Sequence, residues 1–179
     1  MLAMLFMDAR MSRAQGCAGA TKRYRMWPCA VSDKRSVEAC WGNSNQQSFY
    51  WERPLPYFLA MNCDVLMLEG GSNQARDIAL LKHHKTDKNI GIGVVDHTRT
   101  TVESPEQVAA TIRHCLECVP PERLIITADC GFGREGLSRR IAFFKCVSLV
   151  MGANIVRREL GHEEAYVRAA DQKFAFNQA

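Results

Sequence analysis

The chain has 179 residues, of which 47% are hydrophobic and 23% are charged, which fits one globular domain and excludes a disordered chain. Its net charge of +4 comes from residues 1–30, which hold five basic residues and one acidic residue, so the remainder is neutral. A neutral body argues against a nucleic-acid-binding surface. No apolar run approaches the roughly 20 residues that a membrane-spanning helix needs.

Residues 1–30 are expected to form an unplaced basic leader without regular structure. The opening apolar run stops at Asp8, which is too short for the core of a signal peptide. Organelle-targeting segments share the basic, acid-poor composition, but this leader has a single serine and no clean apolar face. We therefore expect a cytoplasmic protein, in which the eight cysteines are free thiols or metal ligands.

Four strand-then-helix units follow the leader. The predicted strands cover residues 36–41, 64–69, 90–96 and 123–129, and the predicted helices cover residues 54–62, 75–85, 104–119 and 138–160. The third helix has a clear start, with Ser104 as N-cap, Pro105 in the first turn and Gln107 three residues after the cap. Near-continuous apolar strands with crossover helices predict a parallel α/β sheet, either doubly wound or a (β/α)8 barrel. No GxGxxG follows the first strand, which disfavours a dinucleotide-binding fold.

Each predicted strand ends in residues whose side chains can bind a metal ion or transfer a proton. They are Cys40, Glu69, Asp96 with His97, and Asp129 with Cys130. In a parallel sheet these carboxyl ends share one edge, where barrels build their active sites. Thiolate and carboxylate donors suit zinc, although either cysteine could instead be a small buried residue. His97 could be an acid–base group or a supporting contact.

A second cysteine pair, Cys115 and Cys118, has the spacing of a CxxC motif. Cys115 lies on the same helical face as Val108 and Ile112. That placement predicts packing in the core rather than a metal site.

Several segments resemble one family. They are "CWGNSNQQS", "MNCDVLMLEGG", "IGIGVVDHTRTTVESPEQV" and "VPPERLIITADCGFG". Together they are similar to the C-terminal catalytic barrel of cobalamin-independent methionine synthases, over about residues 36–160. The DCG turn, with PPERL before it and IGxGVVD further upstream, is fairly specific.

The resemblance implies a (β/α)8 barrel with one zinc ion. The family holds zinc with a His-x-Cys pair, a glutamate and the cysteine of DCG, which fall at Glu38, Cys40, Glu69 and Cys130. The implied reaction moves a methyl group from N5 of a methyltetrahydropteroyl(tri)glutamate, a methyl-folate, to the thiol of homocysteine and yields methionine.

Two positions depart from the family. Glu38 stands where the family has the histidine ligand, so two thiolates and two carboxylates would exceed the charge of Zn²⁺ by two. Alternatively, Glu38 turns away and a water molecule takes the fourth ligand position. The family's acid histidine falls at Thr98, one residue after His97. We nevertheless expect His97, with Asp96, to fill the catalytic role.

The expected architecture is a partial TIM-type barrel of about four βα units in residues 31–179, because a whole barrel takes roughly 250 residues. Half a sheet leaves open edges, which predicts self-association or pairing with another half-barrel. Two other functions remain open. One is zinc-dependent alkyl transfer to another small thiol, as in the epoxide-opening transferases that act on coenzyme M, and the other is a non-catalytic barrel fragment.

Overall fold

The computed structural model describes residues 5–6, 34–39, 51–133 and 137–171. The strands are β1 (Leu5–Phe6), β2 (Ser36–Ala39), β3 (Val65–Leu68), β4 (Asn89–Gly93) and β5 (Leu124–Thr127). The α-helices are α1 (Leu55–Ala60), α2 (Pro105–Leu116) and α3 (Arg139–Glu159). Short 3-10 helices cover Gly71–Asn73, Arg76–His83, Pro121–Arg123 and Arg168–Ala170.

The described strands form one sheet in the order β1-β5-β4-β3-β2. β2, β3, β4 and β5 are mutually parallel and adjacent, with a helix after each of them. This confirms the predicted α/β class and the four βα units of a partial barrel. The carboxyl ends of all four parallel strands consequently lie along one edge of the sheet.

Part of the predicted leader belongs to the sheet. β1 pairs antiparallel with β5, so that Leu5 is opposite Ile126 and Phe6 is opposite Ile125. The other leader residues lie outside the described part of the chain. The domain boundary near residue 30 therefore stays a prediction.

The core lies between one face of the sheet and the helices. Alternate strand residues point into it, and the members of this set are Leu66, Leu68, Ile90, Ile92, Leu124 and Ile126. Val108 and Ile112 of α2 and Leu149 of α3 cover them. Cys115 is fully buried in the same cluster, and burial raises the pKa of its thiol to about 12. This burial fits the predicted packing role.

The second predicted helix has a different form from the others. Residues 76–83 form a 3-10 helix, entered through Gln74 and Ala75, which have φ of 57° and 56°. A 3-10 helix rises about 2.0 Å per residue, against about 1.5 Å in an α-helix, so the same eight residues form a longer segment along the sheet. The other crossover helices are α-helical as predicted.

The predicted start of α2 is confirmed in detail. Ser104 and Gln107 form a reciprocal capping box, and Pro105 occupies the first turn. No helix among the described residues is both long and apolar enough to cross a bilayer.

Candidate metal centre

The face of the sheet opposite the helices carries the candidate site. The strand register aligns Glu38, Met67, Gly91 and Ile125 in one row across β2 to β5. A Cβ atom at Gly91 would approach the Met67 side chain to 2.8 Å, so the glycine makes room for its neighbour. Glu69 follows Met67 by two residues and therefore points to the same face.

Three side chains from three strand ends meet on this face. Donor atoms of Glu69, His97 and Cys130 all lie within 4.8 Å of one another. These residues follow β3, β4 and β5, so the parallel topology brings them together although they are far apart in sequence. His97 is 3% exposed, while Glu69 and Cys130 are half-buried.

Glu38 reaches the same cluster from β2. Burial is the main cause that raises the pKa of its carboxyl, and the negative charge of Glu69 adds to the rise. A hydrogen bond between the side chains of Glu38 and Cys130 acts in the opposite direction and lowers that pKa. Two carboxylates and a thiol thus share one small region.

Glu69 has unused bonding capacity. Its Oε1 is buried and has no hydrogen-bond partner among the described residues. A buried carboxylate oxygen without a donor is costly unless a cation balances it. Together with the adjacent thiol and imidazole, this oxygen fits a zinc ion, which binds sulfur, nitrogen and carboxylate donors.

Asp129 anchors the loop after β3 beside the cluster. Its Oδ1 accepts hydrogen bonds from the amides of Gly70 (2.7 Å) and Gly71 (2.6 Å), and its Oδ2 accepts one from Ser72 (3.2 Å). Burial raises the pKa of Asp129 to about 7, while the glycine amides act to lower it. The carboxyl group ties β5 to the segment that follows Glu69.

Asp96 is buried and held by its own loop. Its Oδ1 accepts hydrogen bonds from the amide (2.7 Å) and the hydroxyl (2.6 Å) of Thr98. Its Oδ2 forms an ion pair with Nε of Arg99 at 3.2 Å. The carboxylate therefore organises the turn that presents His97.

A buried ion pair supports this turn from α3. Lys145 is fully buried, and its Nζ donates to Oε2 of Glu103 at 2.7 Å and to the carbonyl of Thr101 at 2.5 Å. Oε1 of Glu103 accepts the amide of Asp96 at 2.9 Å. The hydroxyl of Ser148 donates to the carbonyl of Glu103. One carboxylate thus links α3 to the start of the loop that carries His97.

Most of the predicted site residues come together in the structure. Glu38, Glu69, Cys130, His97 and Asp96 surround one region, whereas Cys40 lies outside the described residues. Whether they bind metal or act in catalysis stays a prediction.

The sequence analysis did not identify the supporting roles of Glu103 and Lys145. One pattern in the sequence indicates that Lys145 is buried, because it lies four residues after Ile141 and four before Leu149, on the apolar stripe of α3.

Known proteins are similar to this chain in sequence and fold. The family described as "Cobalamin-independent synthase, Catalytic domain" matches residues 2–152. A methionine synthase of Thermococcus kodakarensis is 45% identical over 107 residues, which are 60% of this chain and 31% of the relative. One of Saccharolobus solfataricus is 42% identical over 130 residues, which are 73% of this chain and 36% of the relative. The chain therefore spans about a third of the length of these relatives.

A solved structure supports the same relationship. It is a B12-independent methionine synthase from Shewanella sp. W3-18-1 in complex with selenomethionine. The TM-score is 0.60 at 29% identity, over 70% of this chain and 39% of the other. The matched family covers most of the chain, and the parallel strands and the cluster at their carboxyl ends agree with a barrel of this kind. The chain therefore belongs to the cobalamin-independent methionine synthase family and corresponds to part of its catalytic domain.

Proposed function

We propose that this chain carries the zinc site of a methionine synthase and serves methyl transfer from a methyltetrahydropteroylglutamate to homocysteine. One observation carries the proposal: donor atoms of Glu69, His97 and Cys130 converge within 4.8 Å at the strand ends of a member of this family. The buried, unsatisfied Oε1 of Glu69 supports a cation at that place.

In this proposal, Glu69 and Cys130 hold the zinc, together with Cys40 outside the described residues. When bound, zinc supplies the positive charge that keeps the homocysteine sulfur ionised near neutral pH. In the overall reaction, the new C–S bond forms as the methyl group leaves N5 of the folate. A proton must reach N5, because without it the folate would leave as a nitrogen anion, which is a very poor leaving group.

Asp96 has a positioning role in the proposal. Its carboxylate accepts two hydrogen bonds from Thr98 and pairs with Arg99. Through these contacts it fixes the loop after β4 and the direction of the His97 side chain.

The solved relative supports the proposal through the molecule bound to it, which resembles the reaction product. That protein was obtained in complex with selenomethionine, a close analogue of methionine. We infer that the corresponding surface of this chain accepts an amino acid with a thiol or thioether side chain.

The test measures zinc content and methionine formation in the wild type, Cys130→Ser and Cys146→Ser. Cys146 is a half-buried cysteine of α3 and serves as the matched control. We expect about one zinc per chain in the wild type and the control, and its loss in Cys130→Ser together with any methyl transfer. Wild-type protein that binds no zinc would contradict the proposal.

A second candidate function is a zinc-binding barrel unit without activity of its own. The observation that favours it is length, since the chain spans only 31% and 36% of the two curated relatives. Zinc binding without methionine formation, in an assay with both substrates, would favour this candidate.

A further inference from the structure

We propose that His97 is a zinc ligand in this chain and supplies the imidazole that Glu38 has displaced from its usual position. This inference rests on the proposed zinc function and refines it. It assigns His97 the role of zinc ligand in place of the expected role of proton donor. A ring nitrogen that binds zinc cannot also donate a proton as a general acid.

The first argument is position. The donor atoms of His97, Glu69 and Cys130 lie within 4.8 Å of one another. Zinc bonds of about 2.0–2.3 Å in a tetrahedron place ligand atoms about 3.5 Å apart. Small side-chain rotations are therefore enough to bring the three donors onto one ion.

The second argument is charge. Among the described residues, the Cys130 thiolate, Glu69 and Glu38 would place three negative charges around Zn²⁺, whereas a neutral imidazole in place of Glu38 leaves two, which match the charge of the ion. Imidazole is also a preferred zinc donor. His97 belongs to the group whose donor atoms lie within 4.8 Å of one another, and Glu38 does not.

A competing group contains the same histidine. Asp96, His97 and Asp129 also place donor atoms within 4.8 Å. In that group Asp129 already accepts three backbone amides, and Asp96 accepts two hydrogen bonds and pairs with Arg99. Oδ2 of Asp96 and Oε1 of Glu69 are both buried without a hydrogen-bond partner among the described residues. The charge of Asp96 is already balanced by Arg99, and Asp129 is occupied by the three amides, so this group offers no second free carboxylate and no thiol. The group with the thiol is the better zinc site.

The experiment measures zinc affinity by competition with a chromophoric chelator. The variants are His97→Gln, Glu38→Gln, Cys130→Ser and the double variant Glu38→His/His97→Gln. His114→Gln is the matched control, because His114 is a half-buried histidine of α2 that lies near Glu117. Far-UV circular dichroism reports whether each variant is folded.

We expect His97→Gln to weaken zinc binding at least about 100-fold, since removal of outer contacts alone costs about 10–100-fold. His114→Gln should bind within a few-fold of the wild type, and Glu38→Gln should lose clearly less affinity than His97→Gln. The double variant should regain most of the affinity, because it returns the imidazole to β2. Unchanged affinity in folded His97→Gln, with loss in Cys130→Ser, would overturn the inference and leave the proposed function intact.

A second measurement decides the question even if His97→Gln does not fold. The wild type is loaded with Co²⁺ and carries ¹⁵N-labelled histidine rings, and paramagnetic NMR is recorded. All five histidines lie among the described residues, and only His97 belongs to the metal clusters that these residues form. One strongly hyperfine-shifted ring supports the assignment, and no shifted ring in the loaded protein overturns it. Failure of the wild type to bind Zn²⁺ or Co²⁺ would overturn both the inference and the proposed function.

Discussion

At the residue scale, the site depends on two glycines that leave space beside β4. A Cβ atom on Gly93 would lie 2.0 Å from Oδ1 and 2.6 Å from Cα of Asp129. A Cβ atom on Gly71 would lie 2.6 Å from the carbonyl carbon of Val95. The backbone of three neighbouring segments meets here, so the strand-end residues are held at close range.

We expect Gly93→Ala to destabilise the fold by at least the upper end of the roughly 1–3 kcal/mol typical of overpacked cores. The obstacle includes main-chain atoms of Asp129, which cannot turn aside as a flexible side chain can. Urea unfolding followed by circular dichroism measures the change. Gly131→Ala is the matched control, since no atom of the described residues lies within 4 Å of its added Cβ, and it should leave the unfolding free energy nearly unchanged. Equal stability of the two variants would contradict the argument.

At the element scale, α3 supports the loop that follows β4. The Lys145 ammonium is fully buried, and the side chain of Glu103 is 21% exposed. An ion pair of this kind adds little net stability compared with an apolar pair, but removal of one partner leaves the other charge buried. The pair therefore acts mainly on geometry, since Glu103 also receives the amide of Asp96.

We expect Lys145→Met to reduce the free energy of unfolding by about 3 kcal/mol, the lower end for a broken buried pair. Chemical denaturation of Lys145→Met, Glu103→Gln and the double variant measures the coupling between the two residues. The double variant should be less destabilised than the sum of the single variants, because it leaves no unpaired buried charge. Additive losses would show that the two residues do not act as a pair.

The same elements show which features of the structure can be predicted from the sequence. Apolar runs and the Ser104 capping box predict the strands and α2, because those signals are local. The meeting of Glu69 and Cys130 also follows from the sequence, since carboxyl ends of parallel strands share an edge. The pairing of β1 with β5 and the choice of Glu103 as the partner of Lys145 are set by tertiary packing between distant segments. The apolar stripe of α3 indicates only that Lys145 is buried.

At the scale of the whole molecule, the described residues provide half of a barrel. Four parallel strands are present, whereas a closed barrel of this type has eight. Within the described ranges, β2 pairs with β3 on one side only. α3 packs against α2 and exposes Phe143 and Phe144, which are 54% and 44% accessible. An open strand edge and adjacent exposed aromatic side chains both favour association.

We therefore expect the chain to associate in solution, with a mass by light scattering well above the 20.1 kDa of one chain. The variant Phe143→Glu/Phe144→Glu should lower that mass, because two charges on the exposed face of α3 would oppose burial against a partner. Tyr57→Glu/Tyr166→Glu is the matched control, since these side chains are 76% and 68% exposed, with Tyr57 on α1 and Tyr166 in the loop after α3. A wild type that is folded and monomeric at micromolar concentration would contradict this expectation. It would also mean that the edge of β2 and the face of α3 are covered from within the same chain.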